Sequence, residues 1–353
     1  MLRKILLLHF ILETSSYIMS LPQYTRRDAL GVATYILPTL LPTSNNKPIC
    51  IIGASGPTGT ECVKLLAKEK QKVRAVSRKW IKDTDLEELS AVDRSYIQDL
   101  NIDIKNSNVI DNIVKDTSSV IFLANAKKFN RYSQTIDSET QKYEDIDTDA
   151  LTNVVNACIK YKIPRLVYVS ASCRSCLLDN YAEFDKMSAI KCENCVSKQN
   201  GEKIIRKLYK KAPVDVDYSI VRIGILLQNI NQDKNISDLE INQDYTKSGI
   251  ISKQDLAKLC INTAKSPYTK RTTFEAYYRE TTQPFDIDES LTKCTQLGHN
   301  IEQCFFGEEF KDKKPSSLEE VRNTKLKGSI FTTGFELTGN DWNELFQNLR
   351  RDM

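Results

Sequence analysis

Histidine is almost missing from this chain: two residues in 353, His9 and His299. A Ser-His-Asp triad or a multi-histidine metal centre has nothing to be built from, since His9 lies in a segment that reads as a targeting signal. Charge of one sign is also lacking. Fifty basic residues against 46 acidic ones leave a net charge of +4, and no basic block marks a nucleic-acid partner. Long apolar runs are missing at the amino terminus, where Ile5–Leu12 is too short to span a bilayer. A fourth absence is local. No Asp or Glu occurs between Gln71 and Lys82, and its meaning depends on what precedes that stretch.

What precedes it is Ile49-Cys50-Ile51-Ile52-Gly53-Ala54-Ser55-Gly56-Pro57-Thr58-Gly59-Thr60, which opens a helical run over Glu61–Lys68. An isoleucine-rich strand ends at a glycine, and two more glycines follow at three-residue steps. Gly53 permits the tight turn, Gly56 lets backbone approach a pyrophosphate, and Gly59 lets the helix pack close to the strand. Ser55 and Thr58 lie in the same loop, and the helix amino terminus faces the phosphates. A second strand, Lys72–Ser77, closes a βαβ unit. An acid at its end would bind a ribose 2′-hydroxyl; Ser77 and Arg78 stand there instead, which points to a 2′-phosphate and so to NADP(H). The bland alternatives are an unliganded strand–turn–helix and an Arg78–Lys79 pair that only solvates a strand end.

At 41% hydrophobic residues the chain can bury a sizeable core. Beyond residue 47 strands and helices alternate, predicting a doubly wound parallel α/β sheet with helices on both faces and a small C-terminal extension. Strands are expected at Ser95–Leu100, Ser119–Ala126, Arg165–Ser170, Tyr218–Gly224 and Thr273–Tyr278. Helices are expected over Lys105–Lys115, Ile146–Tyr161, Val196–Tyr209 and Lys253–Ala264.

This succession resembles the atypical short-chain dehydrogenase/reductases, closest to NmrA-like and plastid NAD(P)-binding members, over roughly residues 48–280. The resemblance rests on Gly53/Gly56/Gly59, Asp99-Leu100, Val169-Ser170-Ala171-Ser172, Lys198-Gln199-Asn200-Gly201-Glu202, Tyr218–Gly224 and Ile251–Ala257. It implies that Asp99 and Leu100 line an adenine pocket and that Ala124 and Asn125 contact ribose and nicotinamide. It also implies that Ser170 faces the substrate and that Lys198 is the family's catalytic lysine, which holds the ribose. Active members place a tyrosine four residues before that lysine. Here position 194 is Asn194, whose amide cannot donate a proton in that way, so carbonyl turnover is the less favoured expectation. Two functions stay open: a non-catalytic dinucleotide-binding factor, for assembly, scaffolding or redox sensing at a membrane-associated protein complex, and an NADPH-dependent oxidoreductase with an unusual proton donor.

Residues 1–47 read as targeting. Met1-Leu2-Arg3-Lys4 and an apolar stretch precede Thr25-Arg26-Arg27-Asp28 and an uncharged run. The layering suggests an algal-type plastid, with the thylakoid as a destination. No alanine-x-alanine cleavage site is present, and a signal anchor or a mitochondrial presequence is the alternative. Residues 48–283 form the expected dinucleotide domain and 284–353 an extension of unassigned role. In that extension Ser317–Arg322 and Thr338–Leu349 are helical patterns, the second with an apolar stripe of Trp342, Leu345, Phe346 and Leu349 that suits docking on the parent domain or a partner.

Ten cysteines include Cys173-x2-Cys176 and Cys192-x2-Cys195. This spacing suits a four-thiolate zinc site, a disulfide or redox pair, or free thiols. No metal is assigned, because a cluster at Cys195 would crowd Lys198 against the ribose.

Overall fold

The computed structural model describes residues 47–125, 129–130, 135–136, 145–172, 186–227, 234–243, 245, 247–284 and 336–352. Residues 1–46, most of the segment expected to carry targeting, lie outside these residues, as do Cys173, Cys176, the side chain of Cys192 and the Ser317–Arg322 pattern.

Four consecutive aliphatic or thiol side chains, Ile49–Ile52 (β1), are all buried, as a strand covered on both faces requires. Helix α1 (Pro57–Lys68) follows directly, starting one turn before the expected Glu61 because Pro57 is at ease in a first turn. Then come β2 (Val73–Ser77), the short α2 (Ala91–Arg94), β3 (Ile97–Asn101), α3 (Ser107–Val114) and β4 (Ser119–Phe122). A wide turn at Asp145–Ala150 runs into α4 (Leu151–Lys160), followed by β5 (Arg165–Ala171), α5 (Lys186–Tyr209) and β6 (Asp217–Ile223). Short β7 (Ile225–Leu227), β8 (Leu239–Asn242) and β9 (Ile250–Ser252) precede α6 (Lys253–Lys265), β10 (Thr272–Tyr278) and α7 (Trp342–Phe346).

The main sheet has eight strands in the order β8-β10-β6-β5-β4-β1-β2-β3. Seven run parallel, and β8 alone is antiparallel, on the edge beside β10. Order reverses between β1 and β4, the switch point outside whose strand carboxyl ends doubly wound folds bind their ligands. One face is covered by α1 and α6, the other by α3, α4 and α5. The doubly wound parallel sheet with helices on both faces is therefore the fold.

Strand β8 was not expected from the sequence. Its Glu240 and Asn242 are polar yet buried, and Glu240 is satisfied by the Tyr277 hydroxyl at 3.0 Å and the Lys247 ammonium at 3.6 Å. Helix α5 begins ten residues before the expected Val196, and β4 ends at Phe122 rather than Ala126.

The apolar stripe of residues 342–349 docks on the parent domain. Leu345 and Phe346 are fully buried, and the Phe346 ring lies 6.1 Å from that of Phe274. Leu337 extends the antiparallel edge by pairing with Ile241.

Candidate dinucleotide site

The loop after β1 is held by backbone alone. Gly53 has φ +94°, a conformation that side chains rarely adopt, and its N–H donates to Val76 O at 2.8 Å. Gly56 caps α1 without a side-chain bond, and the first intrahelical bond runs from Thr60 N to Gly56 O at 2.9 Å. Pro57 has no N–H, so Thr58 and Gly59 present the first free amides of the helix toward the crevice. A Cβ on Gly59 would run into Gly53 O and lie 2.8 Å from Ala54 Cα, so this helix start tolerates only hydrogen there. Around Gly56 the nearest obstacle is Gly53 O at 3.2 Å, which leaves one side open for a ligand. Ser55 is exposed at the turn and Thr58 is buried beneath it.

At the tip of β2 the Ser77 hydroxyl donates to Lys79 O at 2.7 Å, and Arg78 and Lys79 project into solvent. Asp99 and Leu100 lie within β3 rather than beyond it. Asp99 Oδ2 accepts from Ile81 N at 3.0 Å, and Oδ1 is buried. Burial raises the Asp99 pKa above the usual carboxylate value.

Ala124 and Asn125 follow β4, and the carbonyl of Ala124 accepts from Lys198 Nζ at 3.1 Å. The same ammonium pairs with Asp147 Oδ1 at 2.7 Å, with both side chains buried (7% and 0% exposed), and sits 5.1 Å from the Tyr168 ring centre. The Tyr168 hydroxyl reaches Asp147 Oδ1 at 3.1 Å and Lys198 O at 3.2 Å. Burial raises the Asp147 pKa although Lys198 pulls it down, and burial holds the Tyr168 phenol well above its ordinary range. Gly201 makes this cluster feasible, since a Cβ there would stand 2.6 Å from the Tyr168 hydroxyl.

Asn194 lies one turn before Lys198 on α5, its Oδ1 buried without a partner, as are Ser172 Oγ and Ser197 Oγ. Ser170, at the end of β5, registers with Arg222 on β6, which registers with Glu275 on β10. Arg222 holds Glu202 with two bonds of 2.9 and 2.7 Å and Glu275 with one of 2.9 Å. One guanidinium shared by two carboxylates separates their acidities. Against the cost of burial Arg222 keeps Glu202 below its usual value, with Ser170 contributing, whereas burial pushes Glu275 up to about 7.

The glycine loop, Lys198, Ala124 and Ser170 thus meet along the carboxyl edge of the sheet, with Arg78 and Asp99 toward its β2–β3 end. Asp147, Tyr168, Arg222 and Glu275 complete the environment and were not picked out from the sequence. A tyrosine between two valines of β5 and the Asp145-Ile146-Asp147 run were the available signals.

Cys195 is disulfide-bonded, whereas Cys50, Cys62, Cys158 and Cys260 are buried and free. A disulfide sulfur is no thiolate ligand, so Cys195 does not supply a thiolate to a metal in this structure. Among the described residues no group of three metal-ligating side chains occurs, and no helix is long and apolar enough to cross a membrane.

Several solved structures are similar to the chain at low identity. The oxidoreductase ylbE from Lactococcus lactis is 15% identical, over 72% of this chain and 99% of its own, with a TM-score of 0.45. The anaerobillin reductase ChuY from Escherichia coli is 17% identical, over 65% and 97%, at 0.46. The Bordetella bronchiseptica enzyme WbmH, solved with NAD+, is 13% identical, over 72% and 83%, at 0.45. No match was found among curated protein sequences. The decisive likeness is to the family model described as NAD(P)H-binding, which matches residues 53–267 and so spans the glycine loop, Lys198 and most of the sheet. The chain belongs to that NAD(P)H-binding family, and its fold is the doubly wound parallel sheet described above.

Proposed function

We propose that the chain binds NADP(H) without reducing carbonyl substrates through its family's tyrosine–lysine pair. It serves instead as a dinucleotide-dependent assembly, scaffold or redox-sensing factor at a membrane-associated complex of an algal-type plastid. One observation carries the non-catalytic part. Where a proton-donating phenol would stand there is Asn194, and the ammonium of Lys198 is engaged by Asp147 at 2.7 Å and Ala124 O at 3.1 Å. An amide donates no proton to a developing alkoxide. The NADP(H) preference is supported by exposed Arg78 and Lys79 on a strand tip with no nearby acid. The plastid setting is supported by the layered order of residues 1–47.

A second function, NADPH-dependent oxidoreductase, is favoured by Tyr245. This half-buried tyrosine adopts φ +59°, and its ring lies 4.4 Å from the Arg222 guanidinium. Its hydroxyl accepts from Gln199 Nε2 at 2.6 Å, beside Lys198. Left-handed backbone in a tyrosine is a marker of functional strain. Calorimetric titration with NADPH, followed by single-turnover oxidation with a panel of aldehydes and ketones, separates the two. Binding without hydride transfer is expected. Turnover would refute the non-catalytic role; its loss in Tyr245→Phe would assign Tyr245 as the proton donor, and its retention there would refute that assignment.

A further inference from the structure

We infer that the edge of the sheet opposite the glycine loop is a docking face for an anionic lipid bilayer, with Val214 and Tyr268 as its apolar contacts. The inference does not rest on dinucleotide binding. No single stretch of sequence shows this face, because its charges come from four separate segments at the amino ends of adjacent strands. Residues 160–165 reach β5, 210–217 reach β6 and 266–271 reach β10, while 350–352 lie against Arg271. Backbone bonds hold them side by side. Asp217 N donates to Pro164 O at 3.1 Å, Arg271 N to Tyr218 O at 2.8 Å and Asp352 N to Arg271 O at 2.6 Å.

Lys162, Lys210, Lys211, Arg350 and Arg351 are exposed there. The four segments hold only three acids, and two of these are engaged. Asp217 pairs with Arg271 at 3.1 Å and Lys270 at 3.7 Å, and Asp352 accepts from Thr273 at 2.7 Å and Tyr218 at 2.9 Å. Asp215 alone of the three is exposed. The face is therefore net positive. Among its charges stand two large apolar side chains, Val214, 92% exposed, and Tyr268, 45% exposed. Each follows an exposed proline, Pro213 or Pro267, whose fixed φ stiffens the tip. Val216 N closes the first tip on Pro213 O at 3.1 Å, and Tyr268 N closes the second on Ser266 Oγ at 3.2 Å.

Basic side chains alone would suit any polyanion, but the apolar tips among them do not. A phosphate backbone gives Val214 no apolar surface to bury, whereas a bilayer offers headgroup charge to the lysines and acyl chain to the valine. Tyrosine suits that boundary, since its ring is apolar and its hydroxyl polar. Strands of seven residues set the two edges of the sheet about 20 Å apart, so a bound headgroup does not touch the glycine loop.

Flotation of the full chain with phosphatidylcholine vesicles, with and without phosphatidylglycerol, tests this face. Lys210→Gln combined with Lys211→Gln should lower partitioning onto the anionic vesicles about 25-fold, roughly fivefold for each basic residue at such a surface. At an exposed position Val214→Trp adds a reporter without disturbing the core. The emission it adds should shift to the blue on anionic vesicles and be quenched by brominated acyl chains, a local readout that binding by other parts of the chain does not move. Unchanged partitioning of the lysine variant, or added emission that stays as in water while the protein is on vesicles, would overturn the proposal. Binding to a DNA duplex with none to vesicles would also overturn it and make the face a polyanion site.

Discussion

Gly59 and Gly56 are two of three glycines in one motif, yet the structure gives them different work, and alanine separates them. At Gly59 an added methyl would overlap Gly53 O and approach Ala54 Cα to 2.8 Å and Gly53 C to 2.9 Å, all backbone atoms that cannot rotate aside. The start of α1 would have to lift off the turn. Overpacking of this kind costs about 1–3 kcal/mol and more where backbone must move. The gain in helix propensity from Gly to Ala returns about 1 kcal/mol at most. Gly59→Ala should therefore lose about 2 kcal/mol in urea unfolding and bind NADPH poorly. At Gly56 the nearest atom is a single carbonyl oxygen at 3.2 Å, the φ of −80° suits any residue, and α1 already starts without a side-chain cap. Gly56→Ala should unfold within about 0.5 kcal/mol of wild type, while its methyl intrudes where the pyrophosphate approaches. Gly56→Val should abolish dinucleotide binding with the fold retained. Calorimetry with NADPH and urea unfolding on the same samples decide the matter. A Gly56→Val protein that binds NADPH normally, or a Gly59→Ala protein as stable as wild type, would refute this division of roles.

Arg78→Ala should weaken NADPH more than NADH, measured as the ratio of the two dissociation constants; an equal loss would mean that Arg78 only solvates the strand tip. Glu275, pushed up to about 7 by burial, is held protonated in the folded state where the unfolded chain ionises. Its contribution is present near pH 4.5 and lost as pH rises through 7, so wild-type stability should fall across that window by about 3 kcal/mol relative to Glu275→Gln. Unfolding midpoints of the two proteins at pH 5, 6, 7 and 8 test the sign, and parallel curves would contradict it. Phe346→Ala should cost about 3–5 kcal/mol, since the side chain is fully buried against Phe274. A thermal midpoint unchanged in that variant would show that the segment 336–352 is not part of the cooperative unit.

The sequence by itself determined the βαβ start and the alternation of elements. Glycine spacing and continuous aliphatic runs are local signals, and a parallel strand buried on both faces leaves no other pattern at Ile49–Ile52. It also determined where α1 must approach its turn, because a missing Cβ at Gly59 is legible without coordinates. Boundaries that depend on neighbours were less visible: α5 reaches back to Lys186, and β8 exists because Tyr277 and Lys247 satisfy Glu240. The polar interior of the site belongs wholly to the tertiary structure. Asp147 and Lys198 are 51 residues apart in the chain and 2.7 Å apart in space. Glu202, Arg222 and Glu275 come together only because α5, β6 and β10 are adjacent in the fold. No local pattern announces such a network, because each charge is tolerable in the interior only with its partner, and the partner is chosen by sheet order. Lys198 could be picked from its motif; that Asp147 and the Ala124 carbonyl would hold its ammonium was decided by packing alone.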